Sequence, residues 1–189
     1  MIDALLFARD KVESNPERYA PAMSKWLAAN VGADRYILMT GHRRENIGEG
    51  FIHICQAART IVETHPGIHI VYPVHLNPNV RATVLDLLSG VSNIHLIDPQ
   101  DYGEFVYLMN HSHLILTDSG GVQEEAPSLA KPVLVMRTTT ERPEGVEAGS
   151  ALLVGSDRDL IVRTADRLLT DNAARSEERR VGKEGRSRW

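Results

Sequence analysis

Short apolar segments alternate along the chain with longer segments in which apolar residues recur at helical spacing. The apolar segments predict buried strands at 35–40, 68–73, 93–97, 113–118, 132–136 and 151–155. The other segments predict helices at 2–13, 17–29, 51–65, 78–88, within 98–112, from 122 onward and at 157–171. The strands do not alternate cleanly between apolar and polar side chains, which is typical of strands covered on both faces. Asn77 and Pro78 are predicted to cap and open the helix at 78–88.

The alternation of strands and helices predicts an α/β fold built on a doubly wound parallel sheet, that is, a Rossmann-like domain. In such sheets, ligands bind at the carboxyl ends of the strands, near the point where the strand order reverses. The predicted ligand-binding edge therefore comprises the loops that follow residues 40, 73, 97, 118 and 136.

Three segments of different character divide the chain. Residues 1–30 are predicted to be a helical lead-in, residues 31–174 the Rossmann-like domain, and residues 175–189 a non-native or disordered tail. A basic tail for an anionic partner is the alternative. The tail holds six basic and three acidic residues, which leaves residues 1–174 with 15 basic and 22 acidic residues, a net charge of −7. Nucleic-acid-binding domains carry a basic face, so we expect any phosphate partner to be a small molecule.

Several classes of protein are disfavoured by what the sequence lacks. The single cysteine, Cys55, rules out disulfide scaffolds and cysteine-rich zinc sites, and we interpret it as a buried apolar side chain. The motifs GxGxxG, GxxxxGK[ST], GxSxG and HExxH are absent, so we expect neither NAD nor a metal, and no other cofactor. No apolar run approaches the roughly 20 residues of a membrane span, and no secretory signal is visible, so the predicted location is the cytoplasm.

The stretch TDSGGVQEEAPSL, residues 117–129, carries a candidate anion site. Ser119 and two glycines are predicted to form a turn after the fourth strand, with a helix from Val122. A helix N-terminus with glycines offers N–H groups to an anion, whereas a serine at this position can also simply cap the helix. Both interpretations remain open. Of Glu124 and Glu125, which point about 100° apart on a helix, only one can face a ligand.

Two histidines follow strands at the same predicted edge. His42 lies in TGHRREN beside Arg43 and Arg44, and arginine is suited to bidentate phosphate contacts. His75 lies in PVHLNP after the second strand. Arg142, in TTTERPEG, follows the fifth strand, and a surface ion pair is the alternative to a site role for it.

Five motifs together carry a resemblance: TGHRREN, VYPVHLNPNV, DPQDYGEFVYLM, TDSGGVQEEAPSLAKPVLVMR and TTERPEGVEAG. Over residues 2–174 the chain resembles the C-terminal half of the non-hydrolysing bacterial UDP-N-acetylglucosamine 2-epimerases. The resemblance implies the C-terminal domain of a GT-B-type two-domain protein. It also implies interconversion of UDP-GlcNAc and UDP-ManNAc, by elimination of UDP and its re-addition, for cell-surface polysaccharides.

The resemblance also implies roles for individual residues. The substrate-binding positions would be His42, Gln100, Phe105, Ser119, Gly120, Gly121, Glu125 and Arg142. The serine and glycines would hold the diphosphate, Glu125 the ribose hydroxyls, Gln100 and Phe105 the uracil, and Arg142 the phosphates or sugar. His42 would also be catalytic, favouring the departure of UDP. Arg43 and His75 would belong to a second, allosteric UDP-GlcNAc site.

The resemblance further implies a missing partner. The family's N-terminal domain carries the acidic residues associated with the C2 proton, and proton abstraction needs a positioned base. We therefore expect this chain to be a fragment that is inactive alone. Residues 1–30 would lead in from the interdomain connection, and the full-length protein would be a homodimer. The alternatives are the donor-binding domain of another UDP-sugar enzyme of this architecture and a non-enzymatic UDP-sugar-binding module.

Overall fold

Six parallel strands form one sheet at the centre of the protein. In a computed structural model of the chain, the described residues are 2–42, 48–141, 143–147, 149–174 and 176. The strands within them are β1 Arg35–Thr40, β2 Ile68–Pro73, β3 Ile94–Ile97, β4 Leu114–Thr117, β5 Val133–Val135 and β6 Ala151–Leu153. Their order is β3-β2-β1-β4-β5-β6, and every neighbouring pair is parallel. This is the Rossmann order, with its reversal between β1 and β4. The prediction of a doubly wound parallel sheet is confirmed.

Helices cover both faces of the sheet. They are α1 Ile2–Ser14, α2 Pro16–Tyr19, α3 Pro21–Asn30, α4 Glu49–Thr64, α5 Pro78–Leu88, α6 Tyr102–His111, α7 Gly120–Ser128, α8 Pro143–Glu147 and α9 Arg158–Thr170. Ile37 and Met39 of β1 pack in one apolar cluster with α4, α5 and α9. Tyr36 and Leu38 pack in a second cluster with α1, α3, α6 and α7. Successive side chains of a strand point to opposite faces, and both faces are buried here, which explains the absence of clean alternation.

One predicted helix is two helices in the structure. The expected helix 17–29 is interrupted at Ala20, whose φ of −144° lies outside the helical region. Pro21 is the cause, because proline lacks an N–H and pushes the preceding residue out of the α conformation. Glu104 of α6 completes the start of α3, since its carboxylate oxygens accept from the N–H groups of Ala22 and Met23 at 3.0 and 2.8 Å.

Element ends also differ from the prediction in places. The last strand, expected at 151–155, ends at Leu153, two residues before Gly155 adopts a left-handed φ of 58°. Helix α8 was not predicted. The predicted cap of α5 is confirmed, because the Asn77 side chain accepts from the N–H of Asn79 at 3.0 Å with Pro78 at the first helical position. The predicted tail, 175–189, lies outside the described residues except for Ser176.

Candidate functional site

Two of the predicted site residues, His42 and Ser119, follow β1 and β4, which end side by side in the sheet. Thr40 and Thr117 are paired in the sheet, and their hydroxyl oxygens lie 2.6 Å apart. The loop after β1 therefore leaves the sheet directly beside the loop that leads into α7. This is the point at which the strand order reverses, where open α/β sheets bind their ligands.

Asp118 anchors the loop after β1. Its carboxylate is fully buried and accepts from the backbone N–H of His42 through both oxygens, at 3.0 and 3.3 Å. A buried carboxylate is retained only where hydrogen bonds compensate for its desolvation. Asp118 was assigned no role from the sequence, although an acidic residue at the end of an otherwise apolar strand is a recognisable signal for one.

The same loop is held from beneath by Tyr72 of β2. The buried Tyr72 hydroxyl donates to the carbonyl of Gly41 at 2.8 Å. Burial raises the pKa of Tyr72 far above its usual value, so the hydroxyl stays protonated and remains a donor. The backbone leading to His42 is thus fixed by a donor from β2 as well as by the acceptor, Asp118, at the end of β4.

The rings of His42 and His75 stack on each other. Their centroids are 4.8 Å apart and their planes are inclined by 10°. Nδ1 of His75 accepts from the N–H of Asn77 at 3.1 Å, whereas Nδ1 of His42 lies 3.8 Å from the Asp118 carboxylate. The two histidines were predicted for different roles, at the diphosphate and at a second UDP-GlcNAc site. The structure brings their rings into contact with each other.

The start of α7 is both capped and open. The helix begins at Gly120, so the two glycines form its first turn and not the predicted turn before it. Ser119 Oγ accepts from the N–H of Val122 at 3.5 Å, as expected of a capping serine. The remaining first-turn N–H groups point along the helix axis, without partners in the helix. A Cβ placed on Gly121 would meet nothing nearer than Ser119 Oγ at 3.9 Å, so this end of the helix has room for an anion.

Glu125, one turn further along α7, is paired with Tyr102 of α6. The Tyr102 hydroxyl donates to Glu125 Oε1 at 3.3 Å. Burial raises the pKa of Glu125, the hydrogen bond from Tyr102 opposes that rise, and the neighbouring Glu124 adds to it. Tyr102 was not singled out in the sequence, although it stands in the DPQDYGEF motif between Gln100 and Phe105.

Gln100 and Phe105 flank the start of α6. The Gln100 amide donates to the carbonyl of Asp98 at 2.7 Å, so it stabilises its own loop. Phe105 is half-buried and packs against the apolar cluster that contains α1 and α3. Through the Tyr102–Glu125 hydrogen bond this segment is joined to α7. The residues predicted to contact uracil therefore lie on a segment that is hydrogen-bonded to Glu125, the residue predicted to contact the ribose.

Two predicted arginines lie outside the described residues: Arg43 and Arg142. Two positions before Arg142 in the sequence, Thr140 donates its hydroxyl to Gln123 Oε1 of α7 at 2.6 Å. The loop after β5 is therefore fastened to the same helix that offers the anion site. Among the described residues, no group of three histidine, cysteine or acidic side chains is arranged to hold a metal ion. No helix in that part of the chain has the length and apolar character needed to cross a membrane.

Comparison with known proteins gives one consistent family. A family model described as UDP-N-acetylglucosamine 2-epimerase matches residues 1–185. A Yersinia pestis UDP-N-acetylglucosamine 2-epimerase is 56% identical over 174 residues, covering 92% of this chain and 46% of the relative. An Escherichia coli K12 protein of the same name is 58% identical over 175 residues, covering 90% of this chain and 45% of the relative. The chain thus spans about half the length of these curated relatives.

A solved structure agrees with these sequence matches. The crystal structure of UDP-GlcNAc 2-epimerase from Neisseria meningitidis bound to UDP-GlcNAc superposes with a TM-score of 0.88 at 46% identity. The superposition covers 94% of this chain and 47% of that one. The likeness in fold therefore extends over nearly the whole of the present chain.

Proposed function

The chain belongs to the UDP-N-acetylglucosamine 2-epimerase family, and from that premise we propose that it carries the nucleotide-binding half of an epimerase site. In this proposal it binds UDP-GlcNAc or UDP, and the complete enzyme converts UDP-GlcNAc to UDP-ManNAc. The observation that carries the proposal is the junction of β1 and β4, where buried Asp118 holds His42 beside the N-terminus of α7. The family match along residues 1–185 disfavours the donor domain of a different UDP-sugar enzyme.

The diphosphate binds at the start of α7. Backbone N–H groups of a helix N-terminus and the positive end of its dipole stabilise anions, and the Ser119-Gly120-Gly121 segment supplies both. Glu125 accepts hydrogen bonds from the ribose hydroxyls as a carboxylate. Gln100 and Phe105, on the segment joined to Glu125 through Tyr102, frame the uracil.

His42 is the catalytic residue that this chain contributes. When the C1–O bond of UDP-GlcNAc breaks, negative charge develops on the departing diphosphate, and a donor aimed at that charge lowers the barrier. The proton on C2 leaves in the same overall elimination, giving a 2-acetamidoglucal and UDP. Re-addition of UDP at C1 with protonation of C2 from the opposite face gives UDP-ManNAc. We assign C2 proton transfer to no residue of this chain.

The remaining expectations belong to the complete protein. Arg142 contacts the phosphates or sugar, and Arg43 with His75 forms part of an allosteric UDP-GlcNAc site. An N-terminal domain closes over the nucleotide in a GT-B-type architecture, and the full-length enzyme is a cytoplasmic homodimer. Its product supplies cell-surface polysaccharide synthesis.

Calorimetric titration of the purified chain with UDP tests the central proposal. We expect saturable binding with one UDP per chain, weakened in His42→Ala and in Ser119→Ala. Arg59→Ala is the matched control, because that side chain is paired with Glu63 on the exposed face of α4. A folded chain that shows no saturable response to UDP would refute the proposal. Turnover by a longer form of the protein would separate an epimerase from a module that only binds UDP-sugars.

A further inference from the structure

Gln123 is a buried polar residue in the first part of α7. It retains 4% of its accessible surface, and its Oε1 accepts from the Thr140 hydroxyl at 2.6 Å. Its other terminal atom, Nε2, is buried without a hydrogen-bond partner among the described residues. A buried amide donor without an acceptor is costly, because it has lost its hydrogen bonds to water and gained none in return.

Helix geometry directs the Gln123 side chain toward the first turn of α7, where the diphosphate is proposed to bind. Side chains on an α-helix lean toward its N-terminus, so a residue in the second turn covers the first turn. Gln123 is the fourth residue of α7, counted from Gly120, and its side chain therefore leans over the Gly120-Gly121 turn. On its other side lies the loop after β5, where Thr140 precedes Arg142 by two positions.

We propose that Gln123 is a positioning residue of the nucleotide-sugar site, whose Nε2 donates to an oxygen of the bound diphosphate. Its Oε1 accepts from the Thr140 hydroxyl, so a single amide joins α7 to the loop after β5. The inference rests on the proposed function and adds to it a phosphate contact from within α7. It explains why a position that could be filled by an apolar side chain of similar length is occupied by an amide.

Two substitutions separate the hydrogen bond from the other effects. Gln123→Glu keeps an oxygen for Thr140 and replaces the donor with a carboxylate oxygen, whereas Gln123→Met removes both the donor and the acceptor for Thr140 without adding charge. Because the donor serves the diphosphate, we expect UDP to bind about tenfold more weakly to each variant, and more weakly still to Gln123→Glu. Uridine lacks the diphosphate, so its affinity should be unchanged. Gln56→Glu, at an exposed position of α4, is the control for the added charge.

Calorimetry for UDP and NMR titration for uridine give the decisive comparison, with thermal unfolding used to confirm that each variant is folded. Equal losses of UDP and uridine affinity would mean a purely structural role and would overturn the inference. So would wild-type UDP affinity in Gln123→Met, because the loss in Gln123→Glu would then be charge repulsion alone. If the wild-type chain itself fails to bind UDP, the proposed function fails and this inference with it.

Discussion

Asp118 shows how one buried carboxylate organises the loop at the end of a neighbouring strand. It accepts twice from the backbone of His42, and its own position is set by the end of β4. Cys55 contrasts with it, because its burial raises the pKa of the thiol to about 12 and leaves it an inert part of the core. The Asp118 carboxylate and the Cys55 thiol are both buried, but only the carboxylate forms hydrogen bonds to the loop after β1.

Replacing Asp118 with asparagine tests its anchoring role. The substituted side chain keeps its size, but one acceptor oxygen becomes an NH₂ group that faces the N–H of His42. We expect Asp118→Asn to lower the free energy of unfolding by about 1–3 kcal/mol, measured by urea denaturation. Asp86→Asn, on the exposed side of α5, is the control and should change that value by less than about 0.5 kcal/mol. Equal stability of the two variants would contradict the anchoring role.

In the proposed site, Glu125 should make UDP binding dependent on pH, in a direction that follows from the shift of its pKa. Burial raises the pKa of this carboxyl group, and the hydrogen bond from Tyr102 lowers it. Only the ionised form offers both oxygens to the ribose, so UDP affinity should be retained above the pKa and lost as the pH falls through it. The folded protein favours the protonated form more than the unfolded chain does. The contribution of protonated Glu125 to the free energy of unfolding is therefore present at low pH and lost as the pH rises through the pKa of the folded state.

Tyr102→Phe separates the two influences on Glu125. Removing the hydroxyl leaves burial unopposed, so the pKa of Glu125 should rise further and the acid loss of UDP binding should begin at a higher pH. Carbon-13 NMR of the carboxyl group measures the first quantity, and calorimetry at several pH values measures the second. Tyr19→Phe on α2 is the control for removing a phenol hydroxyl. A pKa that is unchanged or lowered in Tyr102→Phe would contradict the proposed opposition between burial and hydrogen bonding.

At the scale of elements, α6 connects the helices at residues 2–30 to the site. Its first turn carries Tyr102, which reaches α7, and Glu104, which caps the start of α3. Between them lies Gly103, where an added Cβ would stand 2.8 Å from the carbonyl oxygen of Tyr19. The backbones of α2 and α6 therefore approach more closely than any larger residue allows.

Gly103→Ala should separate these two helices. The overlap is with a backbone atom, which cannot rotate away, so we expect a loss of about 1–3 kcal/mol in the free energy of unfolding. Gly67→Ala is the matched control, because a Cβ there meets no atom within 4 Å. Denaturation midpoints of the two variants make the comparison. An alanine at position 103 that leaves stability unchanged would show that α2 moves aside freely.

At the scale of the whole molecule, local pattern predicted most of the fold. The bounds of β1 and β2 agree with their apolar segments, and the cap at Asn77 follows from local chemistry. The break at Ala20 was missed because the apolar spacing continued across it, although Pro21 was a visible signal. The Glu104 cap joins residues 82 positions apart in the chain, and no local pattern can predict such a contact.

The meeting of the candidate site's loops at one edge of the sheet was predictable from the sequence, and the contacts between their side chains were less so. Loops after parallel strands meet at one edge, so His42, His75 and the start of α7 were expected to be neighbours. The stacking of the two histidine rings and the Tyr102–Glu125 hydrogen bond depend on side-chain directions that are set only by the packed structure. Motif position could identify candidate residues, but it could not show which of them touch.

Because the proposed reaction assigns no C2 base to this chain, it leads to a prediction for the chain as a whole. Epimerisation requires a base at C2, and the proposal assigns nucleotide binding and leaving-group stabilisation, without that base, to this chain. With UDP-GlcNAc in D₂O, the purified chain should therefore neither form UDP-ManNAc nor exchange the C2 proton. Proton NMR detects both events, since exchange removes the C2 signal even when no product accumulates.

The Neisseria meningitidis enzyme, assayed under the same conditions, is the positive control for exchange. Calorimetric titration of the present chain with UDP shows separately whether the chain binds the nucleotide. Exchange without net epimerisation would be especially informative, because it would place a competent base within these 189 residues. Binding without exchange is the expected result, because the residues at the carboxyl edge of the sheet are proposed to contact the nucleotide side of the substrate and none is assigned to C2.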